Sequence, residues 1–183
     1  LVKLNKGLLG EENAALLGAM LITKIEQAAL ERADTPEEER KTFYLYCDEF
    51  QYFATDTFAE ILSEARKYKL SLTVAHQYMG QLIDKVRTTV FGNIGTIVSF
   101  RVGAEDAGIL EQEFNPIFKV RDIINLAVRE FYIKMSVKGE TRDAFSATTM
   151  DCTTPKDSES NKDAIIEFSR KTFSKPKDEV EDL

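Results

Sequence analysis

The chain has 183 residues, 43% of them hydrophobic, and a formal net charge of −7. That is enough apolar content for one domain with a sizeable core, and an acidic total gives no support from charge for nucleic-acid binding. No apolar run is long enough to cross a bilayer as a helix and no signal peptide is visible, while Cys47 and Cys152 lack ligand-like spacing to each other or to the only histidine, His76; the expected setting is reduced and cytosolic.

In chain order, Leu1 to Asn5 reads as a strand, and Glu12 to Arg32 as a long helix whose Ala, Leu and Met residues form a face broad enough to predict burial against a sheet. Ala33 to Arg40, around Pro36, is a charged loop. The next strand, Thr42 to Cys47, ends in Asp48 and Glu49, and Cys47 in it reads as a small buried hydrophobe. Phe58 to Tyr68 is predicted helical, with Thr55 and Asp56 as cap candidates; Gln51 and Asp56, just after the acid pair, suit either positioning water or capping this helix, and for Asp56 the cap is the favoured role. Leu70 to Ala75 is a second apolar strand, ending in His76 and Gln77. A helix from Met79 to Phe91 and a turn at Gly92 to Gly95 lead into a third strand, which runs to Phe100 and ends in Arg101.

Gly103 to Phe114 is a further helix, with Glu105 and Asp106 placed where a helix start favours negative charge. Pro116 ends it, and a helical segment over Arg121 to Leu126 leads to a strand at Glu130 to Val137. Lys138-Gly139-Glu140 then turns the chain so that Thr141 to Ala147 returns as a hairpin partner. From Thr148 to Asp163 the polar composition cannot bury enough apolar surface to order itself. Ala164 to Phe173 reads as a short amphipathic helix before a charged end.

Three strands separated by helices, each with a polar residue at its carboxyl end, predict a parallel α/β sheet with a site along one edge. The aromatic run Phe43 to Cys47 stopping in two adjacent carboxylates is the most specific feature. Metal-assisted phosphoryl transfer uses such a pair, one acid for Mg²⁺ and the next for the attacking water. A strand edge followed by a solvated helix start is the plainer reading, and at this level the two stand side by side.

The segments YLYCDEFQYFATDTFAEILSEARKYKLSLTVAHQ and VFGNIGTIVSFRVGAEDAGILEQEF resemble the second half of the HerA/FtsK-type motor ATPases, close to the TraG/TraD-like coupling proteins of conjugation and type IV secretion. The resemblance runs from about Leu1 to Ala147. It implies a RecA-like P-loop NTPase sheet with flanking helices and a terminal β-hairpin over residues 1–147, a partial domain, followed by a polar linker and tail over 148–183. It also implies a Walker B pair, with Asp48 on the Mg²⁺ side and Glu49 activating water. Gln77 falls at the position of a sensor for the γ-phosphate. Arg66 falls at that of an arginine finger acting on a neighbouring subunit's nucleotide, and Arg101 is a second candidate. ATP and Mg²⁺ are the implied ligands; a homo-hexamer, DNA and the secretion or conjugation machinery are the implied partners. The implied location is cytoplasmic, at the inner face of the membrane, with membrane association only through parts outside this chain.

The phosphate-cradling loop G-x-x-x-x-G-K-[ST] is absent from all 183 residues; Gly7 to Gly10 and Gly92 to Gly95 read as turns. The expectation is therefore the carboxyl-terminal part of a longer motor, inactive on its own. A non-catalytic α/β interaction module that keeps half of an ATPase site is the alternative. The basic cluster Arg66-Lys67-Tyr68-Lys69 fits a DNA-facing loop or simply a solvated helix end.

Overall fold

The computed structural model describes residues 1–151 and 161–181, without the side chains of Asp56, Thr57, Lys177 and Glu181. Residues 152–160, which include Cys152 and most of the expected polar linker, lie outside it. The chain divides into two units, Leu1–Thr148 and Thr149–Leu183.

In the first unit, the strand expected over Leu1 to Asn5 does not form. The Asn5 side chain accepts from the Gly7 N–H, and its carbonyl accepts from Leu8 and Leu9, so the chain enters a helical turn, α1 (Lys6–Leu9), instead. Gly10, at φ 79°, lets it turn into α2 (Glu11–Leu30). Only a narrow stripe of α2 is buried: Ala14, Gly18, Ile22 and Ala29. Leu16, Leu17, Met20 and Leu21 are exposed, so the broad burial expected for this helix is not realised within the chain.

Strand β1 (Phe43–Cys47) pairs in parallel with β2 (Leu70–Val74), Phe43 opposite Leu70 and Cys47 opposite Val74. Between them lies α3 (Asp56–Glu64), which tightens into a 3₁₀ turn over Ala65–Tyr68 and ends at Lys69, at φ 55°. Thr55, not Asp56, is its cap: the Thr55 hydroxyl accepts from Phe58 N, and Asp56 occupies the first helical position. After β2 the expected helix is interrupted. A 3₁₀ turn at Met79–Gln81 precedes α4 (Asp84–Asn93), which buries Val86 and Val90.

Strand β3 (Thr96–Ser99) corrects the expected three-stranded parallel sheet. It pairs antiparallel with β4 (Glu130–Val137) and shares no strand pairing with β1 or β2. α5 (Ala104–Phe114) and α6 (Val120–Ile124) fill the connection from β3 to β4. Lys138 and Gly139, both at positive φ, reverse the chain so that β5 (Glu140–Thr141) and β6 (Phe145–Thr148) return along the other edge of β4. The terminal hairpin is thus formed, and β4 is the centre of its sheet.

One apolar cluster runs through both sheets' surroundings. Its largest fully buried side chains among the described residues are Phe50, Phe58, Phe114, Ile123 and Val86, and Phe50 stacks on Phe58 at 5.4 Å between ring centroids. No helix among the described residues is long and apolar enough to cross a membrane. In the second unit, α7 (Lys162–Phe173) carries Asp163 in its first turn and Arg170 and Lys171 in its last, charges that match the helix dipole. α8 (Lys177–Glu181) follows it.

At Gly18, α2 packs directly against the Phe53 ring in the turn after β1. A Cβ there would lie 2.1 Å from Cδ1 of Phe53. At an open helix position Gly→Ala stabilises by about 1 kcal/mol; here overpacking reverses the sign. Gly18→Ala should lower stability by roughly 1–3 kcal/mol, read as a lower urea midpoint with an unchanged slope.

Candidate functional site

Parallel pairing puts the carboxyl ends of β1 and β2 side by side, and the backbone carries the pairing past the strand ends. The Ala75 N–H donates to the Cys47 carbonyl at 2.9 Å, and the Ala75 carbonyl accepts from Phe50 N at 3.0 Å. Asp48 and Glu49 are therefore looped out between two residues that both bond Ala75. Closing so short a loop places Glu49 in the left-handed region, φ 51° and ψ 41°. For a non-glycine residue that costs on the order of 1–2 kcal/mol. Asp48 Oδ1 accepts from the Glu49 N–H at 2.9 Å and offsets part of it.

Both oxygens of the Glu49 carboxylate are held. Gln77 Nε2, at the end of β2, donates to Oε1 at 2.8 Å, and Gln51 Nε2 donates to Oε2 at 2.5 Å. These bonds, that of Gln77 first, keep the Glu49 carboxyl below the usual carboxylate range against a smaller opposing effect of burial, and the charges of Lys6 and His76 act in the same direction as the bonds. Glu49 is thus ionised at neutral pH and presents an acceptor fixed in orientation. Each oxygen keeps a further lone pair for a water proton.

The remaining side chains divide clearly. His76 packs its ring edge-on against Phe50, with centroids 5.4 Å apart, and its buried Nδ1 has no hydrogen-bond partner. The buried Gln51 Oε1 likewise has none. Cys47 lies directly before the acids, and burial pushes its thiol up, which fits a packing role rather than a nucleophile. Arg66, in the 3₁₀ turn after α3, and Arg101, in the bend after β3, are exposed. Neither is joined to Asp48, Glu49 or Gln77 by any bond among the described residues.

No group of three or more His, Cys, Asp or Glu among the described residues is arranged to hold a metal ion. Asp48 is an exposed, hard oxygen donor. Such a donor set fits Mg²⁺ held by one carboxylate, waters and phosphate oxygens, which is how Mg²⁺ is commonly bound, and does not fit an all-protein cage. One feature went unread in the sequence: Lys6 lies with its Nζ over the Tyr52 ring and lends positive charge to Glu49. Gln51, a candidate for positioning water or capping the next helix, instead bonds the acid itself and is half of the grip on it.

Because Glu49 is depressed in the folded state, its contribution to stability is present above the unfolded carboxylate value and is lost as pH falls through the folded one. Gln77→Ala should move the Glu49 titration midpoint upward in a ¹³C-carboxyl NMR titration. An unmoved midpoint would mean that the bond is not populated in solution.

No protein-family model matches the chain, and no curated protein matches it. Solved structures do. The bacterial conjugative coupling protein TrwBdeltaN70 in its unbound monoclinic form aligns with a TM-score of 0.58 at 15% identity, over 74% of this chain and 37% of that one. Plasmid coupling protein TrwB aligns at 0.56 and 17% identity both in complex with the non-hydrolysable GTP analogue GDPNP and in complex with the ATP analogue ADPNP. The chain spans somewhat over a third of the length of these proteins. At such identities the likeness concerns the fold, which is an α/β, RecA-like P-loop fold in part.

Proposed function

We propose that the chain is the carboxyl-terminal part of an ATP-driven motor ATPase of the HerA/FtsK type, TraG/TraD-like, that translocates DNA or protein in conjugation or type IV secretion. The observation that carries this reading is the 2.8 Å bond from Gln77 at the end of one parallel strand to Glu49 at the end of the other. It joins an acid able to accept a proton from water to an amide able to report on what lies beside that acid. The fold shared with a conjugative coupling protein, one that has been solved with nucleotide analogues, supports the same reading.

In this reading Asp48 would hold Mg²⁺, and the ion when bound would neutralise charge on the triphosphate. Glu49 takes the proton of the attacking water at a carboxylate oxygen, which its ionised state allows at neutral pH. Gln77 and Gln51 fix the carboxylate's direction, so little reorganisation is needed as the proton moves. Arg66, or Arg101, supplies positive charge to the phosphoryl group bound by a neighbouring subunit of a hexameric ring. The phosphate-cradling loop is supplied by sequence beyond these 183 residues, and the complete motor works at the cytoplasmic face of the membrane. The alternative, an α/β interaction module without catalysis, draws on the absence of that loop from the chain.

Hydrolysis of ATP by the full-length protein, with and without DNA and beside this chain at equal Mg²⁺, decides between them. A rate in the full-length protein that rises with DNA, and none in the chain, is the expected result; no hydrolysis in either favours the module. Within an active full-length protein, Glu49→Gln should keep nucleotide binding and slow turnover by about 10²–10⁴-fold. Arg66→Ala should lower turnover by roughly 10³-fold with a smaller loss of affinity. Mixed rings with Glu49→Gln subunits should then recover part of the rate, and the absence of any recovery would transfer the role to Arg101.

A further inference from the structure

Asp106 is the one carboxylate among the described residues in the buried class, 7% exposed. It is the third residue of α5, where an acidic side chain ordinarily turns back to the amide of its own cap residue. Here it does not: the cap, Gly103, has no side-chain bond, and Asp106 Oδ2 instead accepts from the N–H of Met79 at 3.0 Å, a buried bond across 27 residues of sequence. Met79 is itself only 8% exposed and opens the 3₁₀ turn after β2. Two residues before it is Gln77, whose amide holds Glu49. The bond thus ties the parallel pair β1–β2 to the helix that follows β3, although the two sheets share no strand pairing. A bond to a carboxylate in a dry setting is among the stronger single contacts, and losing it leaves a buried N–H without a partner.

We infer that Asp106 is a positioning residue for Gln77: by anchoring the Met79 amide it holds the end of β2 where the Gln77 side chain meets Glu49. It also gives the segment carrying Arg101, which leads directly into α5, a mechanical path to the Glu49 carboxylate. A shift of α5 pulls on Met79 and changes the reach of Gln77. The geometry of this tie stands by itself; its consequence for turnover rests on the proposed roles of Glu49 and Gln77.

The test begins with this chain, without nucleotide. In Asp106→Ala the Met79 amide should exchange with solvent at least about tenfold faster. The Gln77 side-chain ¹⁵N resonance should move to the position that it takes in Glu49→Ala, where its partner is gone. Asp106→Asn, which keeps an acceptor oxygen at the right reach, should preserve both signals. Asp106→Ser, one bond too short to reach the loop, repeats the measurement should the alanine chain fail to fold. A folded Asp106→Ala or Asp106→Ser chain whose Gln77 resonance does not move overturns the inference, and so does a lower urea midpoint as the sole effect. In the full-length protein, Asp106→Ala should lower kcat about tenfold at unchanged KM for ATP and add nothing to Gln77→Ala, whereas an equal further loss in the double variant overturns the coupling. Full activity in Gln77→Ala would instead sink the catalytic reading of Gln77, with the resonance and exchange measurements still deciding the role of Asp106.

Discussion

The register of two short parallel strands governs everything proposed for this molecule. Pairing Cys47 with Val74 and then Ala75 with both Cys47 and Phe50 leaves two residues between the bonded positions. Those two are the acids. A slip of one residue would reverse the face of every side chain on the strand, sending Leu45 and Cys47 outward and the tyrosines into the core. The apolar alternation of β1 and β2 therefore holds the carboxylates in place from below, and the Phe50–Phe58 stack holds them from the following turn.

Strain and polarity meet at Glu49. Its left-handed backbone is a cost that glycine would not incur, yet glycine would provide no carboxylate. The structure supports the residue with three hydrogen bonds: one from its own amide to Asp48 and two from glutamine amides to its oxygens. Two of these come from the turn itself, while that of Gln77 comes from the segment just beyond the neighbouring strand. The local bonds shape the loop, and the distant one makes the acid's orientation depend on how β2 ends.

Local pattern was a good guide where an element's partner lies close in sequence. The aromatic run before Asp48, the apolar run before His76, and the Lys138-Gly139 reversal between β4 and its returning partner are all readable from a few residues. It failed where the outcome depends on distant surfaces. Gly95 to Phe100 has the composition of any buried strand, and nothing in it says that β4, some thirty residues later, is its partner rather than β2. The apolar breadth of α2 predicts burial, but within this chain only one line of small and branched residues meets the core. At the candidate site, Asp48, Glu49 and Gln77 stand out as polar ends of apolar runs. Gln51 and Lys6 gain their relation to Glu49 only through folding, and Asp106 resembles any acid at a helix start until its partner is seen.

Parallel sheets are normally covered on both faces, yet one face of β1–β2 is open here. Tyr44 is 63% and Tyr46 71% exposed, opposite Ser71 and Thr73 in the register. The chain has no tryptophan and six tyrosines, so two of the six side chains that dominate its emission lie on the uncovered face, one of them two residues from Asp48. The protein consequently carries its own optical probe, and any body that settles over these strands will change the tyrosine emission without a label being attached.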